Sequence, residues 1–227
     1  MMIGEIIETM STGFVAESFE LNQPPALGSF VVVHSPVANA ASFIELYAVV
    51  TNGRTVGMDP SRRPVRQSTA AVFDRAIYEH QPQLKHTLRT EFAASLVGWS
   101  EDGRTRQHLP SRPPPLHFSV HTASNQQVRQ FTDSLQYLRL LLQVSAEVSP
   151  FQVVAANVRE VFQQRGHDRE WLQQAAREIA ILLKSDHEAL LNILYAIDPG
   201  EPDSADLAPT RRRTAGGPDS PRRGARP

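Results

Sequence analysis

Over the first hundred residues the hydrophobic positions fall in short runs divided by turn-forming residues, which predicts strands rather than helices. Gly4 to Glu8 and Phe14 to Phe19 read as two strands around Ser11-Thr12-Gly13. After Pro24-Pro25 comes Phe30-Val31-Val32-Val33, an apolar run without alternation. Such a run implies burial on both faces, as in a closed barrel, and it places Val32 in the barrel interior. Ile44 to Val50 and Arg54 to Met58 flank Asn52-Gly53, a dipeptide suited to a type I′ hairpin because both central residues need positive φ. Leu88 to Trp99 is a further strand, Asp102-Gly103 a second tight turn, and Leu116 to Val120 a last short strand after the extended Arg112–Pro115 segment.

Between these strands the pattern is interrupted. Residues 59–69 form a polar loop with two prolines and three arginines, and residues 70–80 predict a short helix with Val72, Ala76 and Ile77 on one side, ended by Pro82.

From Ser124 the period changes to that of helices. Ser124 and Gln127 make a capping box, followed by Val128, Phe131, Leu135, Leu138 and Leu142 at helical spacing. Ser149-Pro150 starts a second helix with Val154, Val158, Val161 and Phe162 on one face, and Gly166 is placed to end it. Asp168 caps a third helix carrying Leu172, Ala175, Ile179 and Leu183. Ser185 and Glu188 make another capping box for a fourth, with Leu190, Leu191 and Leu194. Four capped amphipathic segments with short links predict a helical bundle. From Pro199 the pattern stops: the last 29 residues hold six prolines and no aromatic residue, a composition that predicts disorder. The expectation is an α+β chain: a small β-barrel over 1–122 with a loop and helix insertion at 59–87, a helical module over 123–198, and a disordered tail over 199–227.

Charge and composition narrow the function. The net charge of -1 supplies no overall field toward nucleic acid or an anionic membrane. All basic residues except Lys85 and Lys184 are arginines, a bias that fits either planar, bidentate partners or a GC-rich genome. Cysteine is absent, which removes disulfides, thiol nucleophiles and cysteine metal sites. The first residues lack a basic region and an apolar run of signal-peptide type, and no run reaches the about 20 apolar residues of a membrane span. A cytoplasmic location is expected.

Chemistry is hard to find in this chain. Neither a phosphate loop of the G-x-x-x-x-G-K-[ST] type nor a G-x-G-x-x-G motif occurs. His117 and His121, four apart in a strand, would stand ~13 Å from each other, too far to share an ion. His80 and His86 straddle Pro82, and Ser185-Asp186-His187 is better explained by capping than by catalysis. No metal, cofactor or catalytic residue is expected. The polar cluster with most to offer is Arg62, Arg63 and Arg66 on the 59–69 loop; Arg104, Arg106 and Arg112 form a second, without interleaved aromatics.

Gly4-Glu5-Ile6-Ile7, Gly13-Phe14-Val15-Ala16, Leu27-Gly28-Ser29-Phe30 running on to Val33, and Leu46 to Val50 together resemble the strand order of the HAS-barrel. That family of small barrels occurs in HerA-type DNA translocases and F-type ATP synthases. The resemblance covers about the first half of the chain. It departs from the family where the ATPase domain would follow, since a helical module stands there. It implies a barrel used for ring assembly or docking, with a HerA-type ATPase or a NurA-type nuclease as partner, in DNA repair. The contact is expected at Met58, Asp59, Arg62, Arg63 and Arg66, and a homo-oligomer is compatible with it. Two alternatives stay open: a nucleic-acid-binding module using the loop arginines, and a hydrolase with a dispersed site.

Overall fold

The computed structural model describes residues 1–36, 42–59, 61 and 63–197. The expected tail and Arg62 lie outside the described residues. Among the described residues, seven strands and six α-helices follow one another: β1 (Met2–Met10), β2 (Gly13–Ser18), β3 (Phe30–Pro36), β4 (Phe43–Gly57), α1 (Arg75–His80), β5 (Leu88–Glu101), β6 (Arg104–Arg106), β7 (Ser119–Thr122), α2 (Asn125–Thr132), α3 (Tyr137–Leu141), α4 (Pro150–Gln164), α5 (Arg169–Leu182) and α6 (His187–Ile197). A 3-10 turn at Pro82–His86 lies between α1 and β5. No helix among the described residues is long and apolar enough to cross a membrane.

Six strands close into an antiparallel barrel in the order β2-β1-β7-β3-β4-β5, with β5 returning to β2; β6 extends β5 outside the ring. Strand alternation then sorts side chains into two cores. Ile6, Phe14, Val31, Val33, Leu46, Val50, Phe92, Leu96 and Val120 fill the interior. Phe30, Val32, Tyr47, Val49 and Val97 point the other way, into a core shared with the helices. The unalternated Phe30–Val33 run is therefore buried on both faces for a reason other than barrel closure: the helices cover the outer wall. Val32, expected inside the barrel, lies on that outer wall across from Tyr47.

Asn52-Gly53 does not turn. β4 runs straight through it, with Asn52 paired to Ala93 and Gly53 to Phe92. A register irregularity between Val50 and Asn52 absorbs one residue, and the ladder continues to Gly57 opposite Leu88. Gly53 answers to packing instead, since a Cβ there would meet Pro24 Cβ at 2.9 Å. The Asp102-Gly103 turn forms as expected, both residues at positive φ (48° and 75°), and joins β5 to β6.

The helices are arranged around α4, which touches α2, α3, α5, α6 and β4. The Ser124–Gln127 capping box is present, and Asp168 Oδ1 accepts from Trp171 N–H as the α5 cap. Asp186 rather than Ser185 caps α6, its Oδ1 accepting from Ala189 N–H at 3.0 Å. The single helix expected from Ser124 to Leu142 is two. Its break at 133–136 is enforced by side chains that capture backbone groups: Gln107 Nε2 donates to Phe131 O and Ser134 O, Gln107 Oε1 accepts from Tyr137 N–H, and Trp171 Nε1 donates to Thr132 O.

One contact locks barrel to helices. Gly28, at φ +83°, sits so close to α4 that a Cβ would stand 2.5 Å from the Ala156 carbonyl carbon and collide with Asn157 N. The buried Asn157 donates from Nδ2 to Gly28 O (2.8 Å) and accepts at Oδ1 from the Tyr137 hydroxyl (3.0 Å). Burial pushes the Tyr137 phenol far above its ordinary pKa, so it remains a donor. Around this bridge Phe30 and Tyr47 from the barrel meet Phe131 and Tyr137 from the helices, with Tyr47 and Phe131 stacked at 4.4 Å.

Candidate functional site: an apolar groove on the β4–β5 insertion

The paired strands β4 and β5 serve as a stem for the segment between them. Gly57 pairs with Leu88, Met58 N–H donates to Thr87 O at 2.9 Å, and Thr55 Oγ1 meets Thr90 Oγ1 at 2.9 Å. Below them Glu91, 2% exposed, lies between two guanidiniums: Arg54 Nη2 is 2.9 Å from Oε2 and Arg89 Nε is 2.7 Å from Oε1. A buried carboxylate neutralised from both sides is structural, and it stiffens the stem.

Above the stem the chain crosses a proline-containing loop and the short helix α1, then returns through the 3-10 turn. The helix expected over 70–80 forms only from Arg75, because the Thr69–Val72 stretch closes a turn of its own, with Val72 N–H donating to Thr69 Oγ1 and Thr69 N–H to Val72 O. Neither α1 nor the 3-10 turn contributes a buried residue. A tie to the barrel runs through Tyr78, whose hydroxyl accepts from Asn22 Nδ2 at 2.9 Å.

Loop, helix and turn surround a groove of about 540 Å3. Met58, Pro64, Val65, Ile77, Leu84 and Leu88 form its apolar lining, and Asp59, Arg63, Tyr78 and His86 contribute polar groups. Three apolar side chains of the insertion stand well out: Met58 at 51%, Val65 at 73% and Phe73 at 59% exposure.

Of the residues expected at the contact, Met58, Asp59 and Arg63 line this groove, while Arg66 is exposed on the same loop outside the lining. Arg62 falls outside the described residues. Asp59 accepts at Oδ1 from both the backbone N–H (2.9 Å) and hydroxyl (2.6 Å) of Ser61, which hold its carboxyl below the usual range. Arg63, Arg66 and Lys85 make no ion pair or hydrogen bond among the described residues, whereas Arg75 has Glu79 at 3.8 Å. Sequence reasoning found the cations and missed Leu84, Leu88 and Tyr78. The signal was faint: apolar positions 77, 84 and 88 straddle Pro82, and no single helical or strand period connects them.

The other polar clusters behave differently. Arg106 lies over the Trp99 ring at 5.0 Å, so the arginine cluster at 104–112 does have an aromatic neighbour, brought in from β5. Arg104 and Arg112 are exposed. His117 leaves the strand at positive φ and meets Glu5 Oε1 at 2.7 Å. His121 packs edge-on against His34 (5.2 Å between ring centroids), and His34 Nε2 is 3.7 Å from Glu45 Oε1. Partial burial and the His34 charge hold the His121 pKa below its ordinary value. Among the described residues no group of three histidine, aspartate or glutamate side chains could hold a metal ion. Comparison with protein-family models and with curated proteins finds no match to the chain.

Proposed function

We propose that this chain is an accessory protein that works by docking rather than by chemistry, and that its β4–β5 insertion is the docking arm. The observation that carries the reading is the exposed apolar surface of the insertion. Met58, Val65 and Phe73 are more than half exposed on a segment whose own helix and turn bury nothing, beside a groove that is largely apolar. Apolar side chains gathered on a projecting segment lower their free energy when a partner covers them. The resemblance of the strand motifs to the HAS-barrel gives the partner class: a HerA-type ATPase or a NurA-type nuclease of the same cell, in DNA repair. In this reading the helices form a small bundle that clamps the barrel's outer wall and leaves the insertion as the working surface.

The test is co-purification from native cells with identification of what is bound. The intact protein recovers the ATPase or nuclease. The triple variant Arg62→Ala, Arg63→Ala, Arg66→Ala loses it while keeping its circular dichroism spectrum. Repeated recovery of neither enzyme by the intact protein sinks the reading. Binding to DNA that weakens steeply with salt would instead favour the direct nucleic-acid alternative.

A further inference from the structure

We propose that Asp102 is a site of slow, non-enzymatic modification, where the main chain isomerises from aspartyl to isoaspartyl through a cyclic imide, and that the fold withholds the same chemistry from Asn52.

The sequence holds one Asp-Gly and one Asn-Gly, at 102–103 and 52–53. In each pair the glycine has no Cβ to obstruct the approach of its main-chain nitrogen to the preceding side chain. At Asp102 the Gly103 nitrogen attacks Cγ. The new N–C bond replaces a C–O bond, and one carboxyl oxygen leaves as water with the amide proton and the carboxyl proton. Water then opens the five-membered ring. Opening at Cγ restores aspartate, whereas opening at the main-chain carbonyl leaves the backbone running through Cβ. Water is the only co-reactant and is returned in full. Asn52 would follow the same route with ammonia as the leaving group.

Ring closure requires rotation about the Cα–C bond of the first residue, and the two sites differ in what that rotation breaks. Asp102 and Gly103 are exposed at the tip of the turn between β5 and β6, both at positive φ. The Asp102 carboxylate has no hydrogen bond or ion pair among the described residues, and nothing lies within 4 Å of where a Gly103 Cβ would stand. Rotation there disturbs at most the three pairings of β6, which lies outside the ring. At Asn52 the chain is held in β4, with Asn52 paired to Ala93, Gly53 to Phe92, and the ladder running on to Gly57. The carboxamide is held as well, its Nδ2 donating to Glu147 Oε2 at 2.8 Å. Closing the ring at Asn52 would open the stem.

Isoaspartate at 102 lengthens the main chain of the turn by one atom, which the pairing of Glu101 with Arg104 does not tolerate. β6 then loses its register, and Arg106 loses its place over the Trp99 ring.

In the test, folded full-length protein is stored at neutral pH and body temperature beside a guanidinium-unfolded sample. Peptides are mapped over time by chromatography and electron-transfer fragmentation, which distinguish the two isomers. Isoaspartate is expected at 102 in the folded protein at a rate within about tenfold of the unfolded one, because opening a turn tip costs little. Deamidation of Asn52 should be at least about a hundredfold slower in the folded protein, because the ladder has to open first. Asp102→Glu, whose ring would need a sixth member, should accumulate no isomer. Asp102→Asn should speed modification at 102 and leave Asn52 intact. Hydrogen exchange at residues 104–106 should accelerate in the isomerised fraction while the ring strands keep their protection. A folded sample in which 102 stays aspartyl, equal loss of Asn52 in both samples, or unchanged exchange at 104–106 in the isomerised fraction each overturn the proposal.

Discussion

The Asn157 bridge gives a quantitative handle on how barrel and helices depend on each other. Asn157→Ala removes the partner of two buried groups, the Gly28 carbonyl and the Tyr137 hydroxyl. Each orphaned group costs about 1–3 kcal/mol, so the variant should lose on the order of 2–6 kcal/mol. For a chain of this size 1 kcal/mol corresponds to roughly 2–4 °C, and a loss near the middle of the range lowers Tm by about 8–16 °C. The two tryptophans make a suitable assay, because Trp99 sits on β5 and Trp171 on α5. Denaturant unfolding is followed by fluorescence in Trp99→Phe and Trp171→Phe backgrounds, so that each half reports separately. The shared core predicts coincident transitions, both shifted equally by Asn157→Ala. Tyr137→Phe alone should cost about 1 kcal/mol, and the double variant should cost less than the sum of the singles, since both act on one hydrogen bond. A loss under about 0.5 kcal/mol, or a shift confined to one tryptophan, would refute the idea that this bridge couples the halves.

Three further expectations follow from named contacts. Gly28→Ala places a Cβ against the α4 backbone at a residue with φ +83°, and should destabilise by at least about 2 kcal/mol in thermal unfolding, where replacement at the exposed Gly103 costs only the strain of its positive φ. Val32→Asp buries a carboxylate between β3 and the helices and should cost several kcal/mol; soluble protein of native Tm would show that the outer wall is open to water. His121 has a depressed pKa in the folded chain, so its contribution to stability is present above the ordinary histidine value and is lost as pH falls through the folded value. His34→Gln removes the neighbouring imidazole charge and should raise the His121 titration midpoint in NMR; an unchanged midpoint would leave desolvation and the N-terminal ammonium as its causes.

How much of this was legible depended on whether the signal was local. The Ser124–Gln127 box, the Asp168 cap and the Asp102-Gly103 turn all form, because each is decided within four residues of chain. Asn52-Gly53 carries an equally strong local signal, and the β5 ladder overrides it: turning there would forfeit every pairing from Asn52 to Gly57. The helix expected through 133–136 fails for a similar reason, since Gln107 and Trp171 reach in from remote parts of the sequence. Phe30–Val33 advertised burial on both faces and did not say what supplies the second face. At the groove the arginines announced themselves by type and number. Leu84, Leu88 and Tyr78 are ordinary residues whose convergence is created only by the fold.

The overridden turn also bears on where docking can occur. The outer wall of the barrel at Phe30, Val32, Tyr47, Val49 and Val97 is already occupied by the chain's own helices, so a partner approaching there would have to displace a packed core. In the docking reading proposed above, a partner uses some other part of the barrel. Because β4 continues past Asn52-Gly53, the strand from Gly53 to Gly57 carries the insertion about 13 Å beyond the point where a hairpin would have closed. Those residues pair with β5 throughout, and the buried Glu91 between Arg54 and Arg89 fixes the two strands at mid-stem. The result is a rigid stem under a loosely packed arm. In the same docking reading, ordering cost on binding is confined to the arm, while the stem holds the groove at a set position.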